Sequence, residues 1–122
     1  KVECHAGKLN QVFLNIVTNA IYAVNKKFNH DVGGKIWIET GVHADNTSVF
    51  IKIADNGIGI PKEIHERIFE PFFTTKDVGE GTGLGMSIAY NTIAKHHGKI
   101  IVDSEVGQGT SFTLLIPIQQ NN

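Results

Sequence analysis

A carboxylate and two closely spaced glycines follow a run of alternating apolar residues in the stretch "IADNGIGIPKEI", residues 53–64. Gly57 and Gly59 leave no side chain on either side of Ile58, which allows another group to lie close against the backbone. An acid repels a phosphate chain but accepts a hydrogen bond from the amino group of adenine, where guanine presents an acceptor. Asp55 is therefore a candidate for binding an adenine base, and an ordinary Asp-Asn-Gly turn is the structural alternative.

Two asparagines lie on one face of the first predicted helix. At about 100° per residue, Asn15 and Asn19 are separated by about 40° beside the apolar stripe of that helix. Their amide oxygens are suitable ligands for Mg²⁺, which prefers hard oxygen ligands and is often shared with substrate phosphates. The alternative interpretation is a pair of surface amides without a ligand.

Three alternating glycines, Gly81, Gly83 and Gly85, lead into the second predicted helix. The first backbone N–H groups of a helix are unpaired and carry partial positive charge, so a phosphate chain could bind there. The chain has no GxxxxGK phosphate loop, and Met86 occupies the third glycine position of the dinucleotide fingerprint. An ordinary glycine-rich turn remains the alternative.

The periodicity of apolar residues predicts the elements that position these groups. It indicates a helix over residues 8 to about 27, paired strands at about 35–41 and 48–54, a helix from Met86 to His97, and paired strands at 99–103 and 111–117. His96 and His97 are expected to be solvated at the end of the second helix. Residues 70–83 show neither period, and such long loops are usually functional.

Length and charge narrow the function further. The 122 residues suffice for one domain with its own core, with residues 1–7 as the remnant of a preceding strand or linker and 118–122 as a tail. A net charge of -1 with scattered basic residues argues against nucleic-acid binding and against membrane contact by this domain. The single Cys4 excludes an internal disulfide, and we expect a cytoplasmic domain, with membrane anchoring of the parent protein left open.

Four ordered stretches together resemble a known family. "NQVFLNIVTNAIYAV", "DNGIGI", "IFEPFFTTK" and "GTGLGMSIAYNTIAKHHGKIIVDSEVGQGTSFTLLIP" resemble the N box, first glycine box, F box and second glycine box of the catalytic ATP-binding domain of sensor histidine kinases. The resemblance extends over residues 8–117. Gyrase B, mismatch-repair and heat-shock chaperone ATPases belong to the same superfamily.

The resemblance implies the Bergerat fold, an α/β two-layer sandwich with a mixed sheet, helices on one face and a flexible ATP lid. It implies that Asn15 and Asn19 hold Mg²⁺ and phosphate, and that Asp55 binds the adenine amino group with Thr110 assisting through water. The other residues that it implies for ATP binding are Gly57, Gly59 and Ile60 in the base pocket, Phe69, Phe72, Phe73, Thr75 and Lys76 in and beside the F box, and Gly81, Thr82, Gly83, Leu84 and Gly85 around the triphosphate. The lid is expected to become ordered when ATP binds.

The resemblance also implies partners outside this chain. The phosphate acceptor of these kinases is a histidine on a separate dimerisation domain of the same parent protein, from which a response regulator takes the phosphate. None of the six histidines here lies in such a setting. At Tyr22 the chain departs from the family, many members of which carry Lys or Arg there. An ATPase or serine kinase of the same superfamily, and a nucleotide-binding module without catalysis, remain alternatives.

Overall fold

The computed structural model describes residues 5–29, 31–44, 46–73 and 85–119. Within these ranges the chain forms helix α1 (Ala6–Phe28), strands β1 (Ile36–Val42) and β2 (Ser48–Asp55), helix α2 (Gly85–Lys95), and strands β3 (Lys99–Glu105) and β4 (Gly109–Pro117). Two single-turn 3₁₀ helices, Lys62–Ile64 and Arg67–Phe69, lie between β2 and α2 and are not indicated by the sequence pattern.

Helix α1 forms where the apolar period of the sequence predicts it. Val12, Ile16 and Ala20 recur every four residues and are the buried positions of this helix. The helix ends at Asn29, which has a left-handed backbone (φ 50°) and donates its N–H to the Asn25 carbonyl at 2.8 Å. Asparagine tolerates this conformation better than most residues, so it is a suitable helix terminator.

The four described strands form one sheet in the order β1-β2-β4-β3. The predicted β1–β2 and β3–β4 hairpins are both present, and β2 and β4 join them along the centre. All three pairings are antiparallel, whereas the resemblance implied a mixed sheet. Two hairpins joined by an antiparallel central pair leave no parallel neighbours among the described strands.

Both helices pack on one face of this sheet and form a two-layer α/β sandwich, as predicted. The core between the layers joins residues of both helices to alternate residues of β2 and β4, among them Ile16, Ile93, Ile53, Leu114 and Ile116. On the opposite face Trp37 and Ile101 are about half exposed. Neither helix is long and apolar enough to cross a membrane, within the residues that the structure describes.

His96, at the end of α2, is buried with 2% of its surface exposed, so the expectation of a solvated side chain there is wrong. Its Nε2 accepts the backbone N–H of His5 at 3.1 Å, and its Nδ1 lies 2.8 Å from the Thr92 carbonyl. These two bonds require hydrogen on Nδ1 and a lone pair on Nε2. The ring therefore connects the end of α2 to His5, the residue immediately before α1.

We expect Leu114→Ala to lower the free energy of unfolding by about 2–5 kcal/mol, because it opens a cavity beneath both helices. Leu114 is 2% exposed, whereas Ile101 on the outer face is 48% exposed. The control Ile101→Ala should therefore cost less than about 1 kcal/mol in urea unfolding experiments. Equal losses in the two variants would contradict a core on only one face of the sheet.

Candidate functional site

A cleft lies between α1 and the segment that follows β2, and its space, open solvent at the mouth included, is about 730 Å³. Four of its lining residues carry polar side chains: Asn19, Tyr22, Asp55 and Thr110. Its apolar lining includes Ile58, Ile60, Ile64, Ile68, Phe73, Met86 and Phe112. The cleft is thus mostly apolar with a few polar groups, as expected for a site that takes a flat ring system.

Asp55 is the buried acid of this cleft, at the last residue of β2, with 7% of its surface exposed. Its Oδ1 accepts the backbone N–H of Gly57 at 2.8 Å. Burial raises the pKa of the Asp55 carboxyl above its ordinary value of 3.8, while backbone hydrogen bonds from Gly57 and Thr110 lower that pKa in part. The carboxylate is therefore oriented by the backbone but poorly hydrated.

The two glycines after Asp55 lie against protein backbone. A Cβ at Gly57 would lie 2.5 Å from the carbonyl carbon of Ala23 in α1. Gly59 has φ +77°, and a Cβ there would overlap the Glu105 carbonyl. The sequence interpretation assigned this close approach to a ligand base and sugar. In the structure, the backbone of α1 excludes a side chain at Gly57, and that of β3 excludes one at Gly59. Gly59 also lines the cleft.

Backbone hydrogen bonds hold Ile58 between these two elements. Its N–H donates to the Ala23 carbonyl at 3.2 Å, and its carbonyl accepts the N–H of Gly107 at 2.8 Å. Lys27 then donates from Nζ to the Gly107 carbonyl at 2.7 Å, which connects the end of α1 to the β3–β4 turn. This wall of the cleft is therefore fixed by the backbone.

Ser104 on β3 is a residue of this site that the sequence analysis missed. Its Oγ accepts the N–H of Ile60 at 2.7 Å, donates to the Gly109 carbonyl at 3.0 Å and lies 2.7 Å from the Thr110 hydroxyl. A polar residue in a strand is common, so serine gave no signal by type. Its position in the alternation of β3 could have revealed it, because Ile100, Val102 and Ser104 face the same, inner side of the sheet.

The two asparagines of α1 have different surroundings. Asn19 lines the cleft, and its amide makes no hydrogen bond with another residue of the described ranges. The Asn15 amide instead donates from Nδ2 to the Gly85 carbonyl at 3.0 Å, and its Oδ1 accepts the Gln11 side chain at 3.0 Å. Asn15 is not among the lining residues, and it connects α1 to the first residue of α2.

The structure brings most of the predicted base-pocket residues together, but not all the predicted site residues. Asn19, Asp55, Gly59, Ile60, Phe73 and Thr110 line one cleft, and Gly57 lies behind it against Ala23. Phe69 is not in the lining, and its ring packs 5.2 Å from that of Tyr90. Phe72 is largely exposed. Thr75, Lys76, Gly81, Thr82, Gly83 and Leu84, and with them the expected ATP lid, lie outside the described residues.

Comparison with known proteins agrees with this geometry. The model of the histidine kinase-, DNA gyrase B- and HSP90-like ATPases matches residues 4–120. The chain belongs to this ATPase family. Sporulation kinase E of Bacillus subtilis (strain 168) is 40% identical over 120 residues, which make up 98% of this chain. The chain spans only 15% of that relative's length.

Among solved structures, this chain is similar to histidine kinases and their catalytic domains. The catalytic domain of the histidine kinase ThkA superposes with a TM-score of 0.78 at 38% identity, over 96% of this chain and 71% of that one. Full-length ShkA, solved in complex with AMPPNP, has a TM-score of 0.78 at 29% identity, over 94% of this chain and 22% of that one. The predicted membership and fold class are thereby confirmed.

Titration of Asp55 should destabilise the fold as the pH rises. Because its folded pKa is raised above 3.8, the native protein holds this proton more tightly than the unfolded chain does. The resulting stabilisation is complete below the unfolded pKa and is lost as the pH rises through the folded pKa. We therefore expect the unfolding free energy of the wild type to fall relative to that of Asp55→Asn between about pH 3 and pH 7.

Urea unfolding at a series of pH values measures this difference. The control is Asp103→Asn, which removes an exposed acid on β3. Its unfolding free energy should differ from that of the wild type by less than that of Asp55→Asn does. A constant difference between wild type and Asp55→Asn across this range would show that Asp55 titrates alike in the folded and unfolded chains.

Proposed function

We propose that this domain is the catalytic ATP-binding domain of a two-component sensor histidine kinase. It binds Mg-ATP and donates the γ-phosphate to a histidine on a separate dimerisation domain of the same parent protein, from which a response regulator receives it. The observation that carries the proposal is the buried Asp55 carboxylate, aligned by backbone N–H groups in an apolar cleft. The named kinase relatives support the reaction class.

Adenine fits this cleft by its chemistry. Its amino group donates a hydrogen bond to the Asp55 carboxylate and replaces the water that burial has removed. The apolar side chains around it cover the faces of the ring, as the lining of Ile60, Met86 and Phe112 allows. A keto group at the same position of the purine would face the carboxylate with an acceptor, so Asp55 selects against guanine.

Magnesium fits the amides of α1. Asn19 presents an amide in the cleft, and the Oδ1 of Asn15 accepts a bond only from the exposed side chain of Gln11 among the described residues. Both could therefore turn an oxygen to the ion, which accepts neutral oxygen ligands alongside phosphate oxygens. When bound, Mg²⁺ offsets the negative charge of the β- and γ-phosphates.

The remaining roles belong to the F box and the second glycine box. We assign the contacts with the triphosphate to Thr75, Lys76 and residues 81–85, of which only Gly85 is described, at the start of α2. Phosphoryl transfer depends mainly on positioning, so the domain alone should bind ATP but transfer phosphate poorly without the acceptor histidine. The proposal includes a cytoplasmic location, where ATP is supplied.

Replacement of Asp55 by Asn should weaken ATP binding about ten- to a hundredfold, because the amide oxygen accepts a bond without the assistance of charge. Isothermal titration calorimetry with Mg-ATP measures the change, and Asp103→Asn serves as the matched control. Unchanged affinity in Asp55→Asn, or equal affinity of the wild type for ATP and GTP, would remove Asp55 from the base site.

Asn19→Ala should abolish the increase in ATP affinity that Mg²⁺ produces, while adenosine binds nearly as well as before. The reason is that the amide would contact the metal and phosphates but not the base. ATP is titrated with and without Mg²⁺, and adenosine in parallel. Asn10→Ala, an exposed amide on the same helix, is the control. Equal losses for adenosine and Mg-ATP would indicate damage to the helix instead of a lost ligand.

A further inference from the structure

The hydroxyl of Ser104 has three neighbours and only one hydrogen. The Ile60 backbone N–H, 2.7 Å away, is a pure donor, so Ser104 must accept from it. The Gly109 carbonyl, 3.0 Å away, is a pure acceptor, so Ser104 must donate its hydrogen there. The third neighbour is the Thr110 hydroxyl at 2.7 Å, and the only remaining site on Ser104 is a lone pair. Thr110 must therefore donate its own hydrogen to Ser104.

This hydrogen-bond order determines what Thr110 offers to the cleft. With its hydrogen directed to Ser104, the Thr110 oxygen can make any further hydrogen bond only as an acceptor. Thr110 lies opposite Asp55 in the β2–β4 pairing, and both residues line the cleft. The polar end formed by these two side chains thus presents only acceptors when Asp55 is ionised.

We propose that Ser104 is a specificity-determining positioning residue, which selects a purine with an amino group over one with a keto group by orienting the Thr110 hydroxyl. The inference rests on the proposed function, since it requires the purine's 6-substituent to lie at Asp55 and Thr110. An amino group donates to these acceptors, whereas a keto oxygen faces two acceptors and has no donor to receive. Without Ser104, the Thr110 hydroxyl rotates and donates to the keto oxygen.

The experiment compares ATP with inosine triphosphate, which carries a keto oxygen where ATP carries the amino group. Both are titrated with Mg²⁺ at about pH 8, well above the ordinary pKa of a carboxyl group, into the whole 122-residue chain. The readout is the ratio of the two dissociation constants. Ser104→Ala should lower the preference for ATP about tenfold, the effect of gaining one hydrogen bond to the keto oxygen.

Three further variants isolate the route through Thr110. Ser104→Thr keeps a hydroxyl and should retain the wild-type preference, and Ser111→Ala, on the neighbouring residue of β4, is the matched control. Thr110→Val removes an acceptor, so it should weaken the binding of ATP more than the binding of inosine triphosphate. Adding Ser104→Ala to Thr110→Val should change the ratio less than twofold, because the hydroxyl that Ser104 orients is gone.

The outcomes separate this inference from the proposed function. A wild type that binds both nucleotides equally, or neither, would overturn the base site itself. A wild type that prefers ATP, with a Ser104→Ala variant that loses both affinities in the same proportion, would leave the base site in place and reduce Ser104 to a structural residue. Should Ser104→Ala fail to fold, Thr110→Val still decides: a larger loss for inosine triphosphate would make Thr110 a donor and overturn the inference.

Discussion

The close packing of backbone against backbone around Ile58 is the constraint on which the rest of the site depends. Gly57 lies against Ala23 of α1 and Gly59 against Glu105 of β3, at distances that admit no Cβ. Ile58 is hydrogen-bonded to both sides. Backbone contacts of this kind do not rearrange as side chains do. The wall of the cleft therefore keeps its shape when a side chain of the lining is substituted. Asp55 and Ile60 flank this wall in the chain, so the fixed backbone sets how their side chains face the cleft.

Asp55 shows how such a site trades stability for recognition. Taking its carboxylate out of water disfavours the charged form, and two backbone N–H groups restore only part of the lost hydration. The remaining hydrogen-bonding capacity of the carboxylate is directed into the cleft. A ligand that donates a hydrogen bond there gains more than it would from a well-hydrated acid on the surface. The acid that weakens the empty fold is therefore the one best suited to select a base.

Sequence patterns predicted the elements well because burial on one side of a helix or strand leaves a regular trace. Val12, Ile16 and Ala20 mark α1, and the alternation in β2 and β4 marks the central strands. Asp55 could be found because an acid between a strand and two glycines is unusual. The hydrogen bonds that Ser104 and Asn15 make could not, because they depend on which strand or helix end lies opposite. Tyr22 also lines the cleft, at a position where many members of the family carry a basic residue.

The pairing of β2 with β4 has a consequence for how the chain is made. During synthesis α1, β1 and β2 emerge first, and the inner edge of β2 has no partner until α2, β3 and finally β4 have been added. Asp55 meets Thr110 only at that last step, so the domain has no base-binding end to its cleft until β4 has left the ribosome. Pairing across such a long stretch of chain is slow, and an unpaired β2 edge is open to association with other chains in the meantime. Nucleotide therefore cannot assist the early stages of folding and can only stabilise the completed sheet.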